Sequence, residues 1–211
     1  MDQLQLVLFL SSLLFSFGIA LLIQKMKRPQ LEMQIGKHTL HNQDRMKITH
    51  IAVRNKPIRV LGSFMNRDLA TNCVGTVRVR DASTGQMIKE FTGLKWATNP
   101  EPLKIQVLPD KKVALIPDSA VMMTAGLKNL GQRWEDLDIA VKHADDEEFY
   151  INTLHNYPLN LKPPETRIDA RRCFIDIRIE FDNDSSDEKR FHLRNDSTKI
   201  IDFELSKEPY R

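Results

Sequence analysis

The chain has 211 residues, of which 41% are hydrophobic and 28% charged, a composition typical of a folded protein and not of a disordered one. Its net charge is +3. The first 28 residues supply +2 of this charge, because they contain three basic residues, Lys25, Lys27 and Arg28, and one acidic residue, Asp2. The other residues carry 28 basic against 27 acidic side chains, so no basic excess indicates a nucleic-acid surface. Two cysteines are too few for a disulfide scaffold or a structural zinc site.

Residues 4–23 form an uncharged, predominantly apolar run of 20 residues. A helix of this length spans roughly 30 Å, the thickness of the hydrocarbon core of a bilayer. A cleaved secretion signal is expected to have a basic start and a small-x-small cleavage site. The sequence has neither. It therefore predicts an uncleaved transmembrane anchor in residues 1–28, in contact with the lipid bilayer through residues 4–23 and followed by a basic flank.

The basic flank also predicts an orientation. Lysine and arginine near a transmembrane helix stay on the cytoplasmic side, and Lys25, Lys27 and Arg28 all follow the helix. We therefore predict a single-pass protein whose C-terminal domain lies in the cytoplasm. The alternative is a cell-surface domain of similar fold that faces outward.

Three small residues of the anchor, Ser12, Ser16 and Ala20, recur every fourth position. Residues with this spacing share one face of a helix, and small side chains let two membrane helices approach closely. This stripe is a hypothetical self-association face.

Pro29 ends the helix, and the rest of the chain is strand-like. Alternation of apolar and polar residues, with turn sequences between the runs, predicts antiparallel strands. The predicted strands cover residues 31–35, 47–53, 73–81, 87–91, 137–143, 149–152, 172–182, 190–195 and 199–205.

The alternation assigns a face to each side chain of a strand. The residues predicted to be buried include Cys73, Val77, Val141, Cys173, Ile177 and Phe181. The residues predicted to face solvent include Arg78, Lys142, Arg172, Asp176, Arg178 and Glu180. Buried cysteines at both positions are expected to be inert thiols.

Between Trp96 and Leu137 the alternation is interrupted by Pro100, Pro102, Pro109 and Pro117. Residues 119–131 are compatible with a short helix that ends at Gly131. Short strands without strand–helix alternation favour a mainly β fold in residues 29–211, an antiparallel β-sandwich that is immunoglobulin-like or related. The Cys–Trp–Cys spacing of antibody domains is not met, since Trp96 lies before Cys173 by 77 residues.

No metal site is predicted. His38, His41 and His50, with Asp44, lack a metal-ligand spacing and are expected to be surface residues. The turn around Asp182, Asp184 and Ser186 departs from a calcium loop, because Asp187 replaces the required glycine and Leu193 the final glutamate. Asn183 and Asn195 each begin an N-D-S sequon, which matters only if the domain faces outward.

No catalytic or cofactor motif is present either. The chain has no phosphate-binding glycine loop, no G-x-S-x-G, no H-E-x-x-H and no C-x-x-C. A catalytic triad is a spatial arrangement, which scattered residues do not reveal. Trp96 and Trp134 lie beside predicted turns, where they either fill the core or form an exposed aromatic surface for a partner.

These observations favour a membrane-anchored module that binds or scaffolds a protein partner, without catalysis, cofactor or nucleic acid. The alternatives are the outward-facing module and an enzyme whose site is assembled from scattered residues.

Overall fold

The computed structural model of the protein describes residues 3–41, 45–58, 67–109, 111–154, 161–182 and 185–207. A long helix, α1 (Gln3–Lys27), comes first, and a short helix, α2 (Ser119–Ala125), lies midway along the chain. The strands are β1 (Leu31–Ile35), β2 (Thr39–His41), β3 (Met46–Asn55), β4 (Ala70–Asp81), β5 (Met87–Thr92), β6 (Leu103–Val107), β7 (Val113–Pro117), β8 (Lys128–Leu130), β9 (Glu135–His143), β10 (Phe149–Ile151), β11 (Arg167–Ile168), β12 (Arg172–Phe181), β13 (Ser185–Asn195) and β14 (Phe203–Ser206).

The strands form two six-stranded sheets and a separate two-stranded ribbon. The first sheet has the order β1-β3-β9-β10-β11, and β2 also pairs with β3. The second has the order β14-β13-β12-β4-β5, and β8 also pairs with β4. Strands β6 and β7 pair with each other, and every pairing is antiparallel.

The two sheets share one hydrophobic core. Ile51 and Leu137 of the first sheet belong to the same cluster of buried side chains as Val77, Ile177 and Phe191 of the second. The prediction of a mainly β fold with antiparallel sheets is thereby confirmed. The immunoglobulin-like topology is not confirmed. Among the described residues the two sheets together have twelve strands, whereas an immunoglobulin domain has roughly seven to nine.

Strict alternation identified the buried faces of the long strands. Val77 and Ile177 are fully buried and Phe181 is nearly so, on the core face that the alternation assigns. Val141 is fully buried as predicted, but it is not part of the core cluster that the two sheets share. Cys73 and Cys173 are buried too, and burial raises the pKa of each thiol to about 12. The expectation of inert thiols agrees with these surroundings.

The prediction that Lys142 faces solvent is wrong, because strand β9 contains a β-bulge. The pairing of β3 with β9 shifts by one residue where Thr49 faces Ala140 and His50 faces Asp138. Ile139 is the extra residue, and both Ile139 and Ala140 point into the core. The alternation is therefore inverted beyond the bulge, and Lys142 falls on the inner side with no exposed surface.

Asp176 was also predicted to face solvent, and it is buried. It lies on the outer face of the second sheet, as the alternation requires, but two arginine side chains cover it. Arg190 donates from Nε to Oδ1 at 2.5 Å, and Arg80 donates from Nε to Oδ2 at 3.0 Å. Neighbouring strands supply the two guanidinium groups, which a single-strand pattern does not show.

The predicted short helix is present but ends earlier than expected. The side chain of Asp118 accepts from the backbone nitrogen atoms of Ala120 and Val121 and so caps the start of α2. Gly126, and not Gly131, follows its last residue. The residues that would have continued the helix form strand β8 instead.

Candidate interaction surface

Helix α1 is long and apolar enough to cross a membrane, by length and composition, over Phe9–Lys27. Ser12, Ser16 and Ala20 are all exposed on its surface. The Ser12 hydroxyl donates to the carbonyl oxygen of Phe9 at 2.9 Å, within its own helix. The self-association of this stripe stays a prediction.

Arg67 joins the end of α1 to the β-sheet domain. Its Nη1 donates to the carbonyl oxygen atoms of Met26 and Arg28, each at 2.8 Å, and its Nε donates to that of Lys56 at 2.8 Å. The last carbonyl groups of a helix have no partner within the helix, and a cation near them also interacts favourably with the helix dipole. One side chain therefore both caps α1 and ties it to the residue that follows β3.

The first strand after the helix is fixed to both sheets. It pairs with β3 in the first sheet. The backbone nitrogen of Leu31 also donates to Asp187 of β13 at 2.6 Å, and the Lys189 amine donates to the carbonyl oxygen of Met33 at 2.8 Å. Hydrogen bonds to β3 and β13 therefore fix the backbone of β1, where the chain enters the domain.

The β6–β7 ribbon has an exposed apolar face, which we call the ribbon face: Leu103, Ile105, Val107, Val113, Leu115 and Pro117. Ile105 lies opposite Leu115 and Val107 lies opposite Val113, so these side chains share one side of the ribbon. Their exposed fractions are 71%, 65%, 67% and 66% respectively. No other described strand pairs with either edge of the ribbon. A contiguous apolar face with open strand edges is a feature of interaction surfaces.

The ribbon leaves the domain near the point where α1 enters it. Thr98, which precedes the ribbon, donates from its hydroxyl to Glu135 at 2.8 Å. Glu135 lies opposite Val53, and Val53 lies opposite Met33 in the neighbouring strand. Met33 is two residues beyond Leu31, the first residue of β1. The base of the ribbon is therefore at the helix end of the first sheet.

Short polar contacts hold this base in place. The backbone nitrogen of Asp118 donates to the carbonyl oxygen of Pro102 at 2.9 Å and so closes the ribbon. The Asn99 amide donates to the carbonyl oxygen atoms of Ala125 and Leu127, each at 2.8 Å. These hydrogen bonds fix the base of the ribbon to the rest of the domain.

The ribbon carries a net positive charge. Lys104 lies on β6, Lys111 and Lys112 lie at the turn, and Asp110 is the one acidic residue in the sequence of 103–117. The apolar face is thus accompanied by a net charge of +2, from three lysines and one aspartate.

The two tryptophans do not form an exposed aromatic pair. Trp96 is fully buried, and its indole nitrogen donates to the carbonyl oxygen atoms of Cys73 at 3.3 Å and Gly126 at 3.2 Å. Trp134 is half-buried, with the Arg54 guanidinium 4.3 Å from its ring centroid. Only Trp134 retains surface for a partner, and its role there stays a prediction.

The histidines divide into two kinds. His38 and His41 are exposed, as expected, whereas His50 is buried against the expectation. Its Nδ1 lies 2.8 Å from Asp138 and its Nε2 lies 2.8 Å from Thr39, contacts across strands that no local spacing indicates. Within the described part of the chain, no three potential metal ligands lie close enough to hold an ion. Asp44 lies outside that part.

The structure describes Asp182 of the acidic turn and Asn195 of the second sequon. Asp182 accepts hydrogen bonds from the backbone nitrogen and the hydroxyl of Thr71, and these bonds lower the pKa of Asp182. Residues 183–184, with the first sequon, lie outside the described residues. Asn195 is buried and donates to the carbonyl oxygen of Glu147 at 2.7 Å. The folded domain therefore does not present Asn195 for glycosylation.

A cleft of about 800 Å³ lies at the far end of the second sheet, with Asp81, Arg172 and Asp196 in its wall. Arg172 pairs with Asp196 at 3.5 Å. The hydrogen bonds from Ser83 and Thr84 lower the pKa of Asp81 to about 2.

The ribbon face was missed at the level of sequence because four prolines interrupt the segment. A usable signal was nevertheless present: apolar residues alternate with polar ones at 103, 105 and 107, and residues 113–117 are all apolar.

A scan against protein-family models finds no family that matches the chain, and searches of curated proteins and of solved structures find no match.

Proposed function

We propose that the protein is a single-pass, membrane-anchored module that binds a protein partner at the membrane surface through the ribbon face. The exposure of four paired apolar side chains, Ile105, Val107, Val113 and Leu115, carries this proposal. Apolar side chains in such an array lose contact with water only when another molecule covers them.

The ribbon also favours a particular kind of partner. An extended segment can add to an open strand edge, where its backbone supplies hydrogen bonds and its alternate side chains pack on the ribbon face. The lysines at positions 104, 111 and 112 favour acidic side chains in that segment. We therefore expect a partner with an extended segment of alternating apolar and acidic residues.

The test is site-specific photocrosslinking in native membranes with the full chain. A photoreactive residue at Leu115 should form an adduct with a protein. Ile105→Asp should reduce the yield at least tenfold, because it places a carboxylate in the centre of the ribbon face. Ile201→Asp is the matched control, since Ile201 has the same exposed fraction of 71% and lies outside the ribbon.

The identified partner must then bind the purified protein with the same order of affinities, wild type and Ile201→Asp strongly and Ile105→Asp weakly. Adducts with lipid alone, or equal adduct yields for the two aspartate variants, would refute the proposal.

The proposed orientation places residues 29–211 in the cytoplasm. The cations at 25, 27 and 28 support it, and Arg67, bound to the end of α1, adds a fourth cation at the same position. Protease added to intact cells should leave the domain whole and digest it after the cells are opened. Digestion in intact cells with surviving cytoplasmic markers would reverse the assignment.

The proposed anchor is retained in the mature protein. Intact-mass spectrometry of the membrane fraction should therefore find a chain that includes residues 4–23. A mature N-terminus between Ala20 and Gln30 would show that the segment is a cleaved signal.

A further inference from the structure

Three side chains from three neighbouring strands form a hydrogen-bonded chain. Thr39 lies on β2, His50 on β3 and Asp138 on β9, and β3 pairs with both other strands. The Thr39 hydroxyl lies 2.8 Å from Nε2 of His50, and Nδ1 of the same ring lies 2.8 Å from Oδ1 of Asp138. A hydroxyl and a carboxylate therefore bind the two nitrogens of one imidazole.

The burial of these groups is graded. Asp138 and His50 are 3% and 5% exposed, whereas Thr39 is an exposed residue. The Asn152 amide donates to Oδ2 of Asp138 at 3.3 Å, which orients the carboxylate from its other side. The polar chain thus begins in the protein interior and ends at an exposed residue.

The carboxylate determines the tautomer of the ring. An ionised Asp138 can only accept a hydrogen bond, so Nδ1 of His50 carries the proton and donates it. When the ring is neutral, Nε2 has a lone pair that can accept the hydrogen bond from the Thr39 hydroxyl. Such an arrangement prepares a hydroxyl for nucleophilic attack.

We propose that Thr39, His50 and Asp138 form a catalytic triad for acyl transfer from carboxylic esters. Oγ1 of Thr39 attacks the acyl carbon while His50 accepts the hydroxyl proton at Nε2. The bond from the acyl carbon to the alkoxide then breaks, and His50 returns the proton to the departing alcohol. Water, with His50 as base, hydrolyses the resulting threonyl ester and regenerates the free hydroxyl.

A neighbouring cavity indicates the size of the acyl group. It has a volume of about 360 Å³, and its wall includes His50 together with His38, the residue before Thr39. Ile35 and Leu205 give it apolar surface. Cavities of this volume lie at the lower end of the range for small-molecule sites. The substrate class is therefore an ester with a short apolar acyl chain.

The test uses the full-length protein in detergent, with p-nitrophenyl acetate and p-nitrophenyl butyrate as substrates and a fluorophosphonate as covalent probe. Hydrolysis above the buffer rate and a probe adduct mapped to Thr39 are expected. Thr39→Val keeps the shape of the side chain and removes its hydroxyl, so it should abolish the adduct and lower the hydrolysis rate about 10²–10⁴-fold.

Thr92→Val is the matched control, because Thr92 is likewise an exposed strand threonine. It should leave rate and adduct unchanged. His50→Gln should also abolish the adduct, and thermal melting of each variant reports whether the fold is intact. The absence of hydrolysis and adduct in the wild type, or equal rates in Thr39→Val and Thr92→Val, would show that the three residues serve only the stability of the sheet.

Discussion

Lys47 and Lys142 lie directly opposite each other on strands β3 and β9, and both side chains are buried. Their surroundings differ. The Lys142 amine donates to the carbonyl oxygen atoms of Asp146, Glu147 and Glu148 at 2.6, 3.1 and 3.3 Å. The Lys47 amine has no hydrogen bond among the described residues.

This difference predicts opposite effects of one substitution. Lys47→Met should raise the free energy of unfolding by about 1 kcal/mol. The substitution removes the free-energy cost of burying an amine that has no compensating hydrogen bond. Lys142→Met should lower it by about 2 kcal/mol, because three carbonyl groups lose their donor. Urea unfolding of the full chain in detergent measures both values. Changes of the same sign would contradict the contrast.

The same pair predicts a pH dependence. Burial lowers the pKa of both amines, while Asp202 and Glu204 partly oppose this for Lys47. Between the lowered folded pKa and the unfolded pKa of about 10.4, the unfolded chain binds more protons. Stability should therefore rise with pH as the pH approaches 10 from below. Lys47→Met should reduce this slope in urea titrations between pH 8 and 10, and an unchanged slope would count against it.

Asp176 predicts a response at acid pH. Burial raises its pKa, but the hydrogen bonds from Arg190 and Arg80 outweigh burial and leave the pKa below its usual value. The stabilisation is thus present above the unfolded pKa of about 3.9 and is lost as pH falls through the folded value. Asp176→Asn should cost about 2 kcal/mol at pH 7. Its control is Glu180→Gln on the same strand, which we expect to cost less than about 0.5 kcal/mol.

The hydrogen bonds of Arg67 predict that this side chain restrains the backbone at the junction between α1 and the β-sheet domain. Arg67→Ala removes the donors to Met26, Arg28 and Lys56, so backbone amides around residues 26–32 should exchange hydrogen faster. Hydrogen-exchange mass spectrometry in detergent measures this. Arg45→Ala is the control, since an exposed pair with Asp145 is the only contact that the Arg45 side chain makes among the described residues. Equal exchange in the two variants would show that Arg67 does not restrain the helix.

The positions of the cysteines predict their redox state on either side of a membrane. Cys173 lies opposite Asp81, eight residues along β4 from Cys73, so roughly 26 Å separates the two ends of the ladder. A disulfide needs Cα atoms within about 7 Å. A bridge across the sandwich, conceivable from sequence for an outward domain, is therefore excluded. Maleimide without reductant should add two labels in denaturant and none to the folded protein, and zero labels in denaturant would contradict the structure.

The features predicted correctly from sequence are those that depend on neighbours along the chain. An apolar run long enough for a membrane, and alternation at Val77 or Ile177, are local patterns. The position of Lys142 depends on a bulge that forms only when β9 pairs with β3. Likewise, His50 and Asp138 meet although 88 positions separate them in sequence. Predicting the ribbon face would have required the pairing of residues 103–107 with residues 113–117, two short runs that lie among prolines.

The shared location of the α1 junction and the ribbon base affects how strong the proposed docking contact must be. A tethered surface meets a partner in the same membrane at an effective concentration that can reach the millimolar range, as for two sites joined by a short linker. A dissociation constant near 1 mM corresponds to only about −4 kcal/mol. Such a weak contact would be substantially occupied at the bilayer and would dissociate once the domain is cut from its helix.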